Sequence, residues 1–230
     1  MNPKFLNLSS LSPKSLNPKS GTFLLCALFM ASCGESKTDG GLTPVYDKET
    51  GRLQRLDFDS DKDGRIDTVS FMDGQKVVRI EVDRDQDGRV ERWEYYGAEQ
   101  KLERVGFSRS NDGKEDAWSY QGSGGVVERI DVSLNRDGKV SRREFYESEL
   151  LVRAEEVDGP GVAPGPTAGP EDQMWKPARW ETYDPAGRLT MVAFDSSGRG
   201  TPDRRLAYDE GGTARLELDP DGDGHFEPPR

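Results

Sequence analysis

The sequence has very few residues of the types that usually carry catalysis or bind transition metals. It contains one histidine, His225, and two cysteines, Cys26 and Cys33. A Ser-His or Cys-His nucleophile needs a nearby histidine, and a zinc site needs several Cys or His ligands. With no phosphate-binding glycine loop either, the sequence predicts a protein that is not an enzyme. A carboxylate-dependent hydrolase remains an alternative, because 43 acidic residues supply many pairs.

Apolar residues are also scarce. They make up 33% of the chain, as do charged residues, whereas about 45–50% apolar is usual. The core is therefore expected to be thin, and bound ions would add stability that apolar burial does not supply. The net charge of −11 argues against nucleic-acid binding, which needs a basic surface.

The first 32 residues predict an export signal and not part of the fold. Three lysines precede an apolar run at residues 23–30, which leads to Ala31-Ser32-Cys33. This run is shorter than the roughly 20 residues that a membrane-spanning helix needs. The segment resembles the bacterial lipoprotein signal, in which small residues precede a lipidated cysteine. An uncleaved membrane anchor and ordinary secretory cleavage are the alternatives.

The lipoprotein resemblance implies lipidation at Cys33 and attachment to a membrane through that lipid. Gly34 follows the cysteine in place of Asp, which by the usual sorting rule implies the outer membrane, on its periplasmic or surface face. After Cys33 the chain has no thiol, so no disulfide is expected. Residues 33–42 are small and polar and predict a flexible tether.

One short acidic loop motif recurs several times along the rest of the chain. Three copies are complete: residues 59–64, 83–88 and 219–224, each with Asp at positions one, three and five and Gly at position six. The glycines Gly64, Gly88, Gly113 and Gly138 lie 24, 25 and 25 residues apart. A fixed period in the twenties is typical of a repeat array.

Between the loops, alternating segments broken by turn residues predict β-hairpins. We expect an all-β fold: an antiparallel meander of about seven hairpins in one curled sheet, since very wide sheets curl, split or close. The sequence does not determine whether the sheet closes on itself. The hairpin repeats are assigned to residues 43–157 and 177–230, and a Pro/Gly-rich insertion without period to residues 158–176.

Alternation within each strand predicts two distinct faces. We expect one apolar face that carries, among others, Ile80, Trp93 and Tyr95. We expect a second, solvated face with ion-pair ladders, to which Arg79 and Glu94 belong.

Carboxylates at alternate positions of a tight loop repel one another, and a hard cation relieves that repulsion. Ca²⁺ prefers six to eight oxygen ligands, and glycine at position six allows the sharp turn. Position nine would close each site. The predicted metal ligands are Asp59, Asp61, Asp63 and Asp67; Asp83, Asp85, Asp87 and Glu91, with Glu94 as an alternative; and Asp219, Asp221, Asp223 and Glu227.

Residues 83–94 resemble an EF-hand loop along their full length, although predicted strands and not helices flank them. Strand-flanked loops of this form are similar to those of integrin-type propellers and thrombospondin type 3 repeats. These resemblances imply Ca²⁺. The alternative is that Asp and Gly serve only the turn, with nearby Lys and Arg neutralising the acids. The loops around Gly113, Gly138 and Gly198 have lost acids, and weak or no binding is expected there.

The recurring Trp-Glu-Tyr-Tyr and Gly-Arg-Leu segments resemble the YD and MORN-type hairpin repeats of bacterial envelope proteins, which implies a scaffolding or interaction role. We therefore expect a non-enzymatic, calcium-stabilised lipoprotein of the cell envelope. The alternative is a module that binds glycan or a partner protein through Trp93, Trp118 and Trp180. The competing interpretation of these tryptophans is that they fill the thin core.

Overall fold

The computed structural model describes residues 40–122, 124–165 and 174–229. The predicted export signal, Cys33, most of the tether and part of the insertion lie outside the described residues. The strands are β1 (Leu42–Tyr46), β2 (Leu53–Phe58), β3 (Thr68–Asp73), β4 (Lys76–Val82), β5 (Arg92–Tyr96), β6 (Leu102–Phe107), β7 (Ala117–Gln121), β8 (Val127–Val132), β9 (Arg142–Glu147), β10 (Leu150–Glu156), β11 (Arg179–Tyr183), β12 (Leu189–Phe194), β13 (Arg204–Tyr208) and β14 (Ala214–Leu218).

All fourteen strands form a single antiparallel meander in which spatial order follows chain order. The sheet stays open, with β1 and β14 as its edge strands. The predicted fold class is therefore confirmed, and closure, which the sequence left open, does not occur. Residues 59–67, 83–91, 108–116, 133–141, 195–203 and 219–227 are called loops 1 to 6.

The meander places two kinds of connection at opposite ends of the strands. Tight turns such as Gly74-Gln75 join the two strands within a hairpin, and loops 1 to 5 join successive hairpins except at the insertion. All the loops therefore line one end of the sheet. Backbone hydrogen bonds join neighbouring loops directly: the Asp83 N–H of loop 2 donates to the Asp67 carbonyl of loop 1 at 2.8 Å.

The prediction of one apolar and one ionic face is wrong. Residues paired across antiparallel strands share a face. The register pairs Ile80 with Glu94 and Arg79 with Tyr95. Aliphatic side chains of β4 thus share a face with acids of β5, and the aromatic rings of β5 share the other face with arginines of β4.

Arginine can occupy an aromatic face because its guanidinium stacks on rings while its stem packs against them. The Arg79 guanidinium lies 4.4 Å from the centroid of the Phe71 ring, and Arg104 lies 4.2 Å from that of Tyr95. Each face is therefore a mixture of stacked cations, rings and ion pairs. Such faces allow a chain with few apolar residues to build an ordered sheet.

The best-buried part of the sheet lies under the insertion. Trp118 and Tyr120 on β7 pack with Val140 and with Val162 of the insertion, and Trp175 packs against this cluster. Val140 and Val162 also form a backbone bridge. The described part of the insertion adds no strand to the sheet, but it covers the middle strands.

Candidate metal centres

Each complete loop begins with an aspartate whose carboxylate reaches across the turn to position six. The Gly88 N–H donates to Oδ2 of Asp83 at 2.9 Å, and the Gly64 N–H donates to Oδ2 of Asp59 at 2.8 Å. Both glycines have positive φ, 85° and 93°, which residues with a Cβ rarely adopt. This turn directs the first carboxylate toward the interior of the loop.

The fold brings three carboxylates together in each complete loop. In each group one oxygen per residue lies within 4.8 Å of the others. The groups are Asp59, Asp61 and Asp67 in loop 1; Asp83, Asp85 and Glu91 in loop 2; and Asp219, Asp221 and Asp223 in loop 6. Nine of the predicted ligands are therefore brought together in threes.

The remaining predicted ligands lie outside these groups. Asp63 and Asp87 each accept the backbone N–H two residues further on, at 2.8 Å, and so serve the turn. Glu227 pairs through its backbone with Leu218. Glu94 lies within β5, where it accepts bonds from Arg92 and from the Tyr96 hydroxyl at 2.7 Å.

The acid at position nine closes loops 1 and 2 but not loop 6, where Glu227 lies outside the cluster. In loop 1, Oδ2 of Asp67 accepts the backbone N–H of Ser60 at 2.8 Å and its hydroxyl at 2.5 Å. Burial raises the pKa of Asp67, but these bonds and one from Thr68 outweigh it and lower the pKa overall. Asp67 is therefore held as a carboxylate with only 6% of its surface exposed.

In loop 2 the position-nine acid, Glu91, has a raised pKa, whereas that of Asp67 is lowered. Burial, and then the charge of Asp85, raise the pKa of Glu91 above its usual 4.5. In the same loop, Oδ1 of Asp83 is buried and has no hydrogen-bond donor among the described residues. Buried carboxylate oxygens normally have a partner. An all-oxygen cluster with an unsatisfied buried carboxylate atom fits a hard cation such as Ca²⁺.

Sequence reasoning missed contacts between neighbouring loops. The position-four residue of each loop has positive φ, for example 57° at Gln86 and 50° at Asn111. In loops 2 and 3 its side chain reaches the acids of the preceding loop: Gln86 donates to Asp61 at 3.2 Å, and Asn111 donates to Asp85 at 2.7 Å. The period of 24–25 residues aligns these positions and was a usable signal.

Arginine takes this bridging role in the degraded part of the array. Arg136, at position four of loop 4, contacts Asp112 and approaches Asp116 at 3.5 Å in loop 3. In loop 5, Arg199 occupies position five, where the complete loops have Asp, and its Nε donates to Ser197 at 2.9 Å. A guanidinium thus pairs with the acids of loop 3, one of the loops where weak or no metal binding was expected.

The tryptophans that form the alternative binding stripe are mostly covered. Trp93 is 7% exposed and Trp118 is 2% exposed, and the Trp118 indole donates to Glu115. Trp180 is half-buried. Trp93 and Trp118 therefore fill the interior. Among the described residues no helix is long and apolar enough to span a bilayer.

No family model matches the chain, and no curated protein matches its sequence. Solved structures do match. They include TarM, at 17% identity and a TM-score of 0.37, and a mutant of S. aureus TarM in complex with Fondaparinux, alpha-GlcNAc-glycerol and UDP, at 16% and 0.36. Each covers 43% of this chain and 19% of the matched chain.

A third match is accessory secretory protein 1, 2 and 3 of Streptococcus pneumoniae, at 12% identity and a TM-score of 0.35, covering 54% of this chain and 23% of the other. This chain thus spans about a fifth of the matched chains. The prediction that this chain is not an enzyme is corrected: it is not carried forward. At this identity and TM-score the matches assign neither an activity nor the lack of one.

Proposed function

We propose that this chain is a calcium-binding repeat protein of the cell envelope, in which Ca²⁺ stabilises an open β-hairpin scaffold used for interaction. The observation that carries the proposal is the loop 2 cluster: Asp83, Asp85 and Glu91 converge, and one buried oxygen of Asp83 lacks a donor among the described residues. Loops 1 and 6 repeat the cluster.

Calcium would supply charge neutralisation at the end of the sheet where the loops gather. Without it, mutual repulsion of the acids opposes the loop conformation. Neighbouring loops already share side-chain and backbone bonds, so a cation in one loop would stiffen its neighbour as well. The loops would hold the ion through carboxylates of positions one and three, joined by position nine or position five.

The envelope assignment rests on the lipoprotein-like segment that ends at Cys33. In this proposal the lipidated cysteine attaches the chain to the outer membrane, and the tether separates the sheet from the bilayer. Multiple acyl chains on one residue give stable membrane residence where one chain is marginal.

Calorimetric titration of residues 34–230 with CaCl₂ tests the metal assignment. Extracellular calcium modules commonly bind at about 10⁻⁴–10⁻³ M. We expect saturable uptake at up to three sites in that range, with Mg²⁺ much weaker, because Mg²⁺ demands a stricter octahedral arrangement. No uptake at millimolar calcium would refute the proposal.

A further inference from the structure

The described end of the insertion shows how one part of the sheet surface binds polypeptide. Arg104 donates to the carbonyl of Pro164 at 3.2 Å, and Arg129 donates to the carbonyl of Gly165 at 2.6 Å. Arg129 also stacks over Tyr120, 4.1 Å from the ring centroid. We call this arrangement of two arginines about one aromatic ring the covered cradle.

The repeat generates the same arrangement twice more on the same face. Moving back by 25 residues from Arg104, Tyr120 and Arg129 gives Arg79, Tyr95 and Arg104, with Arg79 paired across the strands to Tyr95 and Tyr95 to Arg104. Moving back by a further 24 or 25 gives a third set. These two open cradles consist of Arg55, Phe71 and Arg79, and of Arg79, Tyr95 and Arg104.

The open cradles are accessible where the covered cradle is not. The Arg129 side chain is 4% exposed, whereas those of Arg79 and Arg55 are 39% and 43% exposed. A groove of about 700 Å³ runs over Arg55, Phe71, Arg79 and Tyr95. A second groove, of about 550 Å³, shares Tyr95 with it and extends to Arg104 and Tyr120. The open surface is therefore continuous with the surface that holds the insertion.

Charge indicates which kind of ligand fits. Arg79 pairs with Glu81 at 2.9 Å, and Arg55 pairs with Asp57 at 2.6 Å, so two of the three cradle arginines are already neutralised, while Arg104 already donates to the Pro164 carbonyl. An anion would meet little net positive charge there. A neutral carbonyl needs only a remaining N–H of the guanidinium. Extended proline-rich chains present unpaired carbonyls and apolar rings together, and aromatic-lined grooves recognise them.

We propose that the open cradles bind an extended, proline-containing polypeptide segment of a partner protein, with its carbonyls on Arg79 and Arg104 and its apolar side chains against Tyr95 and Phe71. The covered cradle is the internal template for this contact. The proposal is independent of the metal sites, since none of these side chains belongs to the acidic clusters.

The test uses the full chain and, as probe, an end-blocked peptide with the sequence of residues 158–165. We expect saturable binding by calorimetry. Arg79→Gln should weaken it about tenfold, the loss expected when one charge-assisted hydrogen bond is removed. Arg215→Gln is the matched control: Arg215 also precedes its acid partner, Glu217, by two residues, but it is paired across the strands with Ala207 and not with a ring.

Val78→Asp is a second variant, at a 43% exposed position on the groove. It provides the same comparison with wild type if Arg79→Gln fails to fold. This substitution should also weaken binding of the peptide. The proposal is overturned if no saturable binding is seen with up to about 10 mM peptide. That concentration is far above the roughly micromolar dissociation constant of a useful contact. Equal losses in Arg79→Gln and Arg215→Gln overturn it too, as does displacement of the peptide by inorganic phosphate or dissociation of a homodimer by the peptide.

Discussion

Replacing Asp83 by asparagine separates a metal role from a turn role in loop 2. The asparagine side-chain oxygen can still accept the Gly88 N–H, which Asp83 accepts at 2.9 Å. What is lost is the second carboxylate oxygen, which is buried and has no donor among the described residues. In chelator the variant should melt at or slightly above the wild-type temperature, because one charge has been removed from a group that includes Asp85 and Glu91.

In calcium the expected change has the opposite sign. A ligand at 100 times its dissociation constant stabilises a protein by about 2.7 kcal/mol per site. For a domain of this size, 1 kcal/mol corresponds to about 2–4 °C. Asp83→Asn should therefore melt about 5–10 °C below the wild type in saturating calcium. Differential scanning calorimetry of residues 34–230, with calcium and with EDTA, measures both values.

Asp195→Asn is the matched control. Asp195 is position one of loop 5, and its Oδ2 accepts the Gly200 N–H at 2.5 Å, as Asp83 does from Gly88. Ser197 stands at position three, where loop 2 has Asp85, and Arg199 adds a positive charge at position five, so no calcium dependence is expected. The metal interpretation would be refuted if the two variants lost the same stability in both buffers, because the aspartates would then serve only their turns.

Three further predictions address the acids and the anchor. Glu91→Gln should not destabilise the protein in EDTA at neutral pH, because burial and Asp85 raise the pKa of Glu91, but it should weaken calcium binding in calorimetry. Burial opposes ionisation of Glu181, yet hydrogen bonds from Arg142 and Tyr183 lower its pKa overall. The stability that Glu181 contributes is therefore present above about pH 4.5 and is lost as the pH falls through the lowered pKa. In urea titrations, the difference in unfolding free energy between wild type and Glu181→Gln should shrink in acid. Cys33→Ala should leave the protein in the aqueous phase of a detergent partition; retention in detergent with an intact N-terminus would instead identify an uncleaved anchor.

The strands could be predicted because each hairpin carries its own local signals. The loop glycines give the period, and alternation between them gives strands on both sides of a turn. Even the degraded loop 5 keeps Asp195 at position one and Gly200 at position six, so the spacing of loops along the chain stays readable. Topology followed, because short connections join neighbouring antiparallel strands.

The faces could not be predicted, because alternation defines two sides of one strand but not which sides of two strands coincide. That choice depends on the register across each loop. Loop 2 pairs Val82 with Arg92, which puts β4 aliphatics beside β5 charges. A rule that groups apolar with apolar fails here, since stacking of Arg79 on Phe71 makes arginine a packing residue of the aromatic face. Of the candidate sites, the acids in the loops were readable from each loop alone, whereas the bridging role of Asn111 becomes visible only when neighbouring loops are aligned by their period.

Divergence among the loops separates what the fold needs from what calcium would add. Loops 3 and 4 begin with Ser108 and Ser133, whose hydroxyls bond to the Asp at position five, at 3.1 and 3.2 Å. The position-nine N–H still pairs with the strand before the loop, as in Asp116 to Phe107 at 2.9 Å. The turn therefore persists where the acids of positions one and three are gone. The sheet is then expected to fold in chelator, and calcium would stiffen the first two hairpin junctions and the loop that follows β14, where the complete loops remain.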